Sequence, residues 1–151
     1  MSIVWSDELN TGIKEIDRQH RRIADYINAL ESAQINDEQE AVAMVINECV
    51  DYTATHFTFE EQLQHEAGYE FLDVHRKVHA MFTQRIAEYQ RRFNAGENVA
   101  AELHELLGRW LVNHIKLDDA DYVGAVKLHQ AAVLRRSRKK GGISFIRRLF
   151  G

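Results

Sequence analysis

The chain has no proline in 151 residues, a single cysteine, and no apolar run long enough to cross a bilayer. Without proline the commonest helix breaker is missing, which favours long uninterrupted helices. One cysteine, Cys49, cannot form an intramolecular disulfide and suits a reducing compartment. The longest apolar stretches fall well short of the roughly 20 residues that a transmembrane helix needs. Met1 to Glu15 also lacks the basic segment and apolar run of a signal peptide. These absences together predict a soluble, cytoplasmic protein. Acidic residues are missing from one region only. None follows Asp121, whereas Lys127, Arg135, Arg136, Arg138, Lys139, Lys140, Arg147 and Arg148 all do. The first 121 residues hold 11 basic against 23 acidic residues, a balance of −12. So acidic a body excludes general nucleic-acid binding, although the basic end could touch an anionic surface.

A chain of this length makes one domain around a single core. Apolar residues recur at spacings of three and four, which predicts helices. The first spans about 16–33, with Ile16, His20, Ile23, Ile27 and Leu30 on one stripe. The second, capped by Asn36 or Asp37, runs to about His65 with Val42, Val45, Cys49, Tyr52, His56, Glu60 and Leu63. After Gly68 the third spans about 70–94, through Phe71, His75, Val78, His79, Phe82 and Ile86. Beyond Gly96, Asn98 can cap a fourth carrying Leu103, Leu107, Trp110, Leu111 and His114. A shorter helix from about Asp119 to Leu134 follows. Short connections make neighbouring helices antiparallel. The predicted fold is therefore all-α, an antiparallel up-down-up-down four-helix bundle with an N-terminal arm and a short C-terminal helix and tail. Cys49, on an apolar stripe, is expected to be an inert core thiol.

The functional signal lies in polar residues on these apolar stripes. His56 and Glu60 are four apart, as are His75 and His79, so each pair shares a helix face. His20 and His114 occupy the core stripes of the first and fourth helices. Burying so many titratable groups costs several kcal/mol per charge, against a net domain stability of only about 5–15 kcal/mol. A bound metal removes the difficulty by turning desolvated bases into ligands. Five histidines and at least one carboxylate exceed a four-ligand zinc site. The lack of thiolate disfavours copper(I) and clusters, and the abundance of imidazole disfavours magnesium and calcium. Two metal ions joined by carboxylates fit the count, with iron the leading choice. The three remaining histidines, His65, His104 and His129, match no such pattern and are expected at the surface.

These residues bring the chain to a known family. The segments I-D-R-Q-H ending at His20, H-F-T-F-E-E from His56, H-R-K-V-H from His75 and W-L-V-N-H-I-K-L-D-D from Trp110 resemble the hemerythrins, the bacterial branch in particular. The opening V-W-S-D-E-L-N-T-G-I from Val4 resembles that family's N-terminal arm, and the likeness covers roughly residues 3 to 125. It implies one iron on His75, His79 and His114 and a second on His20 and His56. Glu60, Asp119 and an oxo or hydroxo group would bridge them. It further implies reversible binding of molecular oxygen at the iron held by His20 and His56.

Spacing and resemblance disagree at one ligand. On an ideal helix Asp119 lies about 140° around from His114, whereas Asp118 lies on the same face. Spacing selects Asp118; the family pattern selects Asp119. Trp110, Leu111, Ile115 and Phe57 are candidates for the dry lining that an oxygen pocket needs. Oxygen carriage, storage or delivery is the leading function. An oxygen, nitric oxide or redox sensor, and a di-iron enzyme acting on peroxide or nitric oxide, are the alternatives. No dedicated general acid or base is evident, which favours the non-enzymatic readings.

Residues 1–134 are read as the bundle and 135–151 as a basic amphipathic tail. Ile143, Ile146, Leu149 and Phe150 recur at helical spacing among its arginines and lysines. That pattern is compatible with an anionic membrane surface or a partner protein.

Overall fold

The structure, a computed structural model, describes residues 2–150, with side chains as far as Gly141. Four helices build the bundle: α1 (Lys14–Ile35), α2 (Gln39–Glu66), α3 (Leu72–Asn94) and α4 (Ala100–Asn113). Each packs on its neighbour in sequence, and α1 closes the ring against α4. This is the antiparallel four-helix bundle that the short connections require. No strand occurs among the described residues.

The stripe expected on α1 is wholly buried. On α2 the buried line runs through Ile46, Thr53 and Gln64, while Val45, Tyr52 and Leu63 sit partly buried at its edge. Those pairs are adjacent in sequence, so a small rotation of the helix exchanges them. Phe71, expected in the core, is 54 % exposed, because α3 begins one residue later and leaves it at the cap. The expected caps also differ. Asp37 takes a positive φ of 54° in the turn, Glu38 and Val99 hold the cap positions of α2 and α4, and neither makes a side-chain cap hydrogen bond. Gly68 and Gly96 adopt the left-handed conformation that ends α2 and α3. His104 is buried, contrary to expectation. It falls between Leu103 and Leu107 on α4 and faces Glu31 of α1 at 3.9 Å. His65 is exposed and His129 half-buried. Cys49 is buried, and burial pushes its thiol up to about 11, which leaves it inert.

The N-terminal arm lies on the bundle. Ile3 N–H donates to Asn28 Oδ1 at 2.7 Å, and Asn28 Nδ2 donates back to the Ile3 carbonyl at 2.9 Å. Asp17 then fastens the turn into α1 by accepting from Thr11 N–H, Thr11 Oγ1 and Gly12 N–H.

The fourth and fifth helices are not separate. A single π-helical turn, His114–Asp119, joins α4 directly to α5 (Ala120–Phe150). Helical dihedrals persist through Asn113, His114 and Ala120. The helix expected to stop near Leu134 thus continues to Phe150. Its early residues Tyr122 and Val126 are buried with Ile13 and Ile16. The side chains of Ile143, Phe145, Ile146, Arg147, Arg148, Leu149 and Phe150 lie outside the described ones.

Ile27, fully buried at the centre of the main cluster, reports on this packing. Ile27→Ala is expected to destabilise the metal-free chain by about 2–5 kcal/mol through lost contacts and the cavity left behind. A urea titration measures it, and a loss under about 1 kcal/mol would mean that this layer of the core repacks freely.

Candidate metal centre

Every helix of the bundle sends donors to one point. α1 supplies His20, α2 His56 and Glu60, α3 His75 and His79, and the π turn His114 and Asp119. His20, His56, Glu60, His114 and Asp119 are 0 % exposed, His79 2 % and His75 5 %. The structure therefore brings together all seven residues singled out from the sequence.

The two carboxylates stand between the imidazoles. Glu60 turns Oε2 toward Nε2 of His56 (3.0 Å) and of His114 (3.4 Å). Its Oε1 meets Nε2 of His75 and, at 3.3 Å, that of His79. Asp119 places Oδ2 3.1 Å from His20 Nε2, and Oδ1 3.2 Å from His114 Nε2 and 3.8 Å from His75 Nε2. The donor atoms form two compact groups, His20–His56–Glu60–His114 and Glu60–His75–His79–His114, each with all atoms within 4.8 Å of one another. Nε2 of His20, His56, His79 and His114, Glu60 Oε2 and both Asp119 oxygens lack any hydrogen-bond partner. Buried polar atoms are seldom left so. A convergent set of orphaned lone pairs is what cations require, so the residues present fit a metal centre.

The π turn decides which of Asp118 and Asp119 faces inward. It widens the helix to an i→i+5 repeat and so aligns residues five apart. Asp119 thereby shares the inward face with His114 and is fully buried. Asp118 is displaced outward and lies 3.7 Å from Nδ1 of His114, on the far side of the ring. The helix runs through this point without a break, widened by one extra residue into its π turn.

Groups behind the rings escaped the sequence reading. His56 Nδ1–H donates to Gln19 Oε1 at 2.8 Å, and His79 Nδ1–H to Glu61 Oε1 at 2.8 Å. These two hydrogen bonds fix the His56 and His79 rings and leave their Nε2 as the inward base, while Asp118 sets a negative charge behind His114 without a hydrogen bond to it. Gln19 and Glu61 each adjoin a site residue in sequence, but nothing in a single chain shows which facing ring they reach. Gln64, one turn beyond Glu60, and Tyr122, three residues after Asp119, are also buried here. The Tyr122 ring lies 5.5 Å from that of His75.

Aromatic rings wall the centre. Phe57 stacks on His79 at 3.8 Å, Trp110 on His114 at 4.8 Å, and Phe82 on Trp110 at 3.7 Å. Leu111 and Ile115 are buried in the same cluster. Of the residues singled out as a lining, Phe57 and Trp110 thus meet the His79 and His114 rings.

Without metal the site is electrostatically divided. Burial, with His56 and His114 nearby, drives His20 well below the ordinary histidine value, and burial lowers His56 too. For His114 burial is outweighed by Asp119 and Glu60, which raise it to about 10. Burial alone would raise Glu60, yet the charge of His114 and the close imidazoles of His56 and His75 hold it well below the carboxylate range. Asp119 moves up, through burial and the neighbouring Glu60 charge.

The pH dependence of the metal-free chain follows from these directions. Below the unfolded histidine value of 6.5 the unfolded chain protonates His20 and His56 while the folded chain resists, so stability falls on acidification. Glu60 adds to this loss as pH drops below 4.5. His114 and Asp119 act oppositely, since both hold their protons more tightly when folded: the His114 stabilisation is lost as pH rises from 6.5 toward about 10, and that of Asp119 as pH rises above 3.8, which offsets part of the acid-side loss. The urea midpoint of metal-free protein is expected to peak near neutrality and decline on both sides. A midpoint unchanged between about pH 5 and 7 would contradict this balance.

Comparison with known proteins agrees with the geometry. The family model described as "Hemerythrin HHE cation binding domain" matches residues 11–126. The bacteriohemerythrin of Pseudomonas paraeruginosa is 52% identical over 140 residues, which cover 93% of this chain and 91% of that protein. That of Stenotrophomonas maltophilia is 47% identical over 150 residues, 99% of this chain and 98% of its own. Among solved structures, a wild-type hemerythrin superposes with a TM-score of 0.79 at 26% identity, covering 83% of this chain and 98% of that one. With a family model spanning most of its length and close relatives end to end, the chain belongs to the hemerythrin family.

Proposed function

We propose that this protein binds molecular oxygen reversibly at a carboxylate-bridged pair of non-haem iron ions, serving carriage, storage or delivery. The observation that carries the proposal is the convergence of five imidazoles and two carboxylates, all buried, with most of their inward lone pairs unpartnered. Family membership supports an oxygen-binding or oxygen-sensing role for such a centre.

His75, His79 and His114 would hold one iron and His20 and His56 the other, with Glu60 and Asp119 shared. Each carboxylate presents one oxygen toward either set of imidazoles, which supports their bridging role. Three imidazoles against two leaves the His20–His56 side one donor short, and there an exogenous ligand finds room. When bound, the iron pair supplies the electrons that make oxygen binding both tight and reversible. The chain supplies the rest. Gln19 and Glu61 hold the His56 and His79 rings in register, and Asp118 places its charge behind His114. Phe57, Trp110, Leu111 and Ile115 exclude the water and protons that would make oxidation irreversible.

Protein reduced without air, exposed to oxygen and then purged tests this reading. Two irons per chain are expected, with a visible absorption band that appears with oxygen and disappears on purging. Irreversible oxidation on first exposure would move the function to sensing or enzymology. One zinc, or no metal, would remove the basis of the proposal.

The aspartates separate by the same iron assay. Asp119→Ala is expected to lose the paired centre. Asp118→Ala is expected to keep it with affinity reduced about 10–100-fold, as for other groups that orient a ligand from behind. Loss of iron in Asp118→Ala alone would reverse the assignment.

A further inference from the structure

α5 is far longer than the bundle needs. Tyr122 and Val126 anchor its start, but from Val133 to Gly141 every residue is exposed. Val133 is 48 % and Leu134 54 % exposed, although both are apolar. The 18 residues from there to Phe150 would extend about 27 Å at the α-helical rise.

The charge on this extension is of one sign. Arg135, Arg136, Arg138, Lys139 and Lys140 are all exposed. Among the described residues no carboxylate lies within ion-pair distance of any of them, and the sequence has no acidic residue beyond Asp121. An acidic body with a balance of −12 would attract such a run if the run lay on it. The run instead stays exposed and forms no such ion pair among the described residues.

The residues beyond have a second pattern. At about 100° per residue, Ile143, Phe145, Ile146, Leu149 and Phe150 occupy one arc of roughly 160°, while Ser144, Arg147 and Arg148 occupy the rest. A basic run followed by an amphipathic turn with large apolar residues requires a partner with two properties. It must be anionic, and it must admit apolar side chains just beneath its charged surface. A bilayer interface containing anionic lipid offers both. A nucleic-acid backbone offers only the first. We infer that the α5 extension docks the protein on anionic membrane surfaces, the basic run meeting the headgroups and the distal apolar arc entering the interface.

Sedimentation of the full chain with phosphatidylcholine vesicles, with and without phosphatidylglycerol, tests the inference. Binding is expected only with the anionic lipid and is expected to weaken steeply as salt is raised. The full-length variant Arg135→Gln/Arg136→Gln/Arg138→Gln/Lys139→Gln/Lys140→Gln should bind about tenfold more weakly or worse, with unchanged helical circular dichroism. A second variant, Ile146→Asp/Leu149→Asp, retains the basic run and should also lose vesicle binding. Equal binding of neutral and anionic vesicles, undiminished binding by the charge variant, or tighter binding to duplex DNA than to vesicles would overturn it.

Discussion

Glu60 and Asp119 are withdrawn completely from water at the centre of a small helical bundle, and the local arrangement answers to them. Each buried carboxylate costs several kcal/mol unless positive charge and hydrogen bonds compensate it. Here compensation comes from four helices at once, because no single helix face holds enough donors. α1, α2, α3 and the π turn must all point inward at the same level. In the metal-free chain part of the cost is met by protonation, with His114 held charged and Asp119 driven toward its neutral form. A pair of cations would meet it more completely, since each inward nitrogen and carboxylate oxygen then has a partner. The polar centre and the bundle around it are therefore one problem in burial.

The π turn is the local device that makes this solution possible. An α-helix through His114 would present Asp118 inward and swing Asp119 aside. One widened turn exchanges their positions, and both become useful: Asp119 faces the donor cluster and Asp118 lies behind the ring of His114. The same turn carries the chain onward as α5 and seats Tyr122 and Val126 against Ile13 and Ile16. A single irregularity thus sets a putting-together of ligand, support and second core cluster that regular geometry would have separated.

Outside the donors, the walls divide the labour. Gln19 and Glu61 anchor outer ring nitrogens, while Phe57, Phe82 and Trp110 stack in sequence along the His79 and His114 rings. Polar contacts fix orientation and apolar ones exclude water. At the other end, α5 leaves the bundle with Arg135, Arg136, Arg138, Lys139 and Lys140 exposed, so the donor cluster and the basic run lie on separate parts of one continuous helix.

The sequence by itself determined the helices, the inward placement of His20, His56, Glu60, His75, His79 and His114, and the family. It could do so because a 3.6-residue period makes a polar residue on an apolar stripe visible without any structure. It did not determine the inward aspartate from spacing, the burial of His104, the partners behind the rings, or the length of α5. Each of those depends on how a helix deviates from ideal geometry or on which residue of a facing helix comes opposite. Gln19 and His56 are 37 residues apart, and only the packing of α1 on α2 makes them neighbours. Periodicity describes one helix at a time; contacts between helices, and a turn that breaks the period, belong to the tertiary structure.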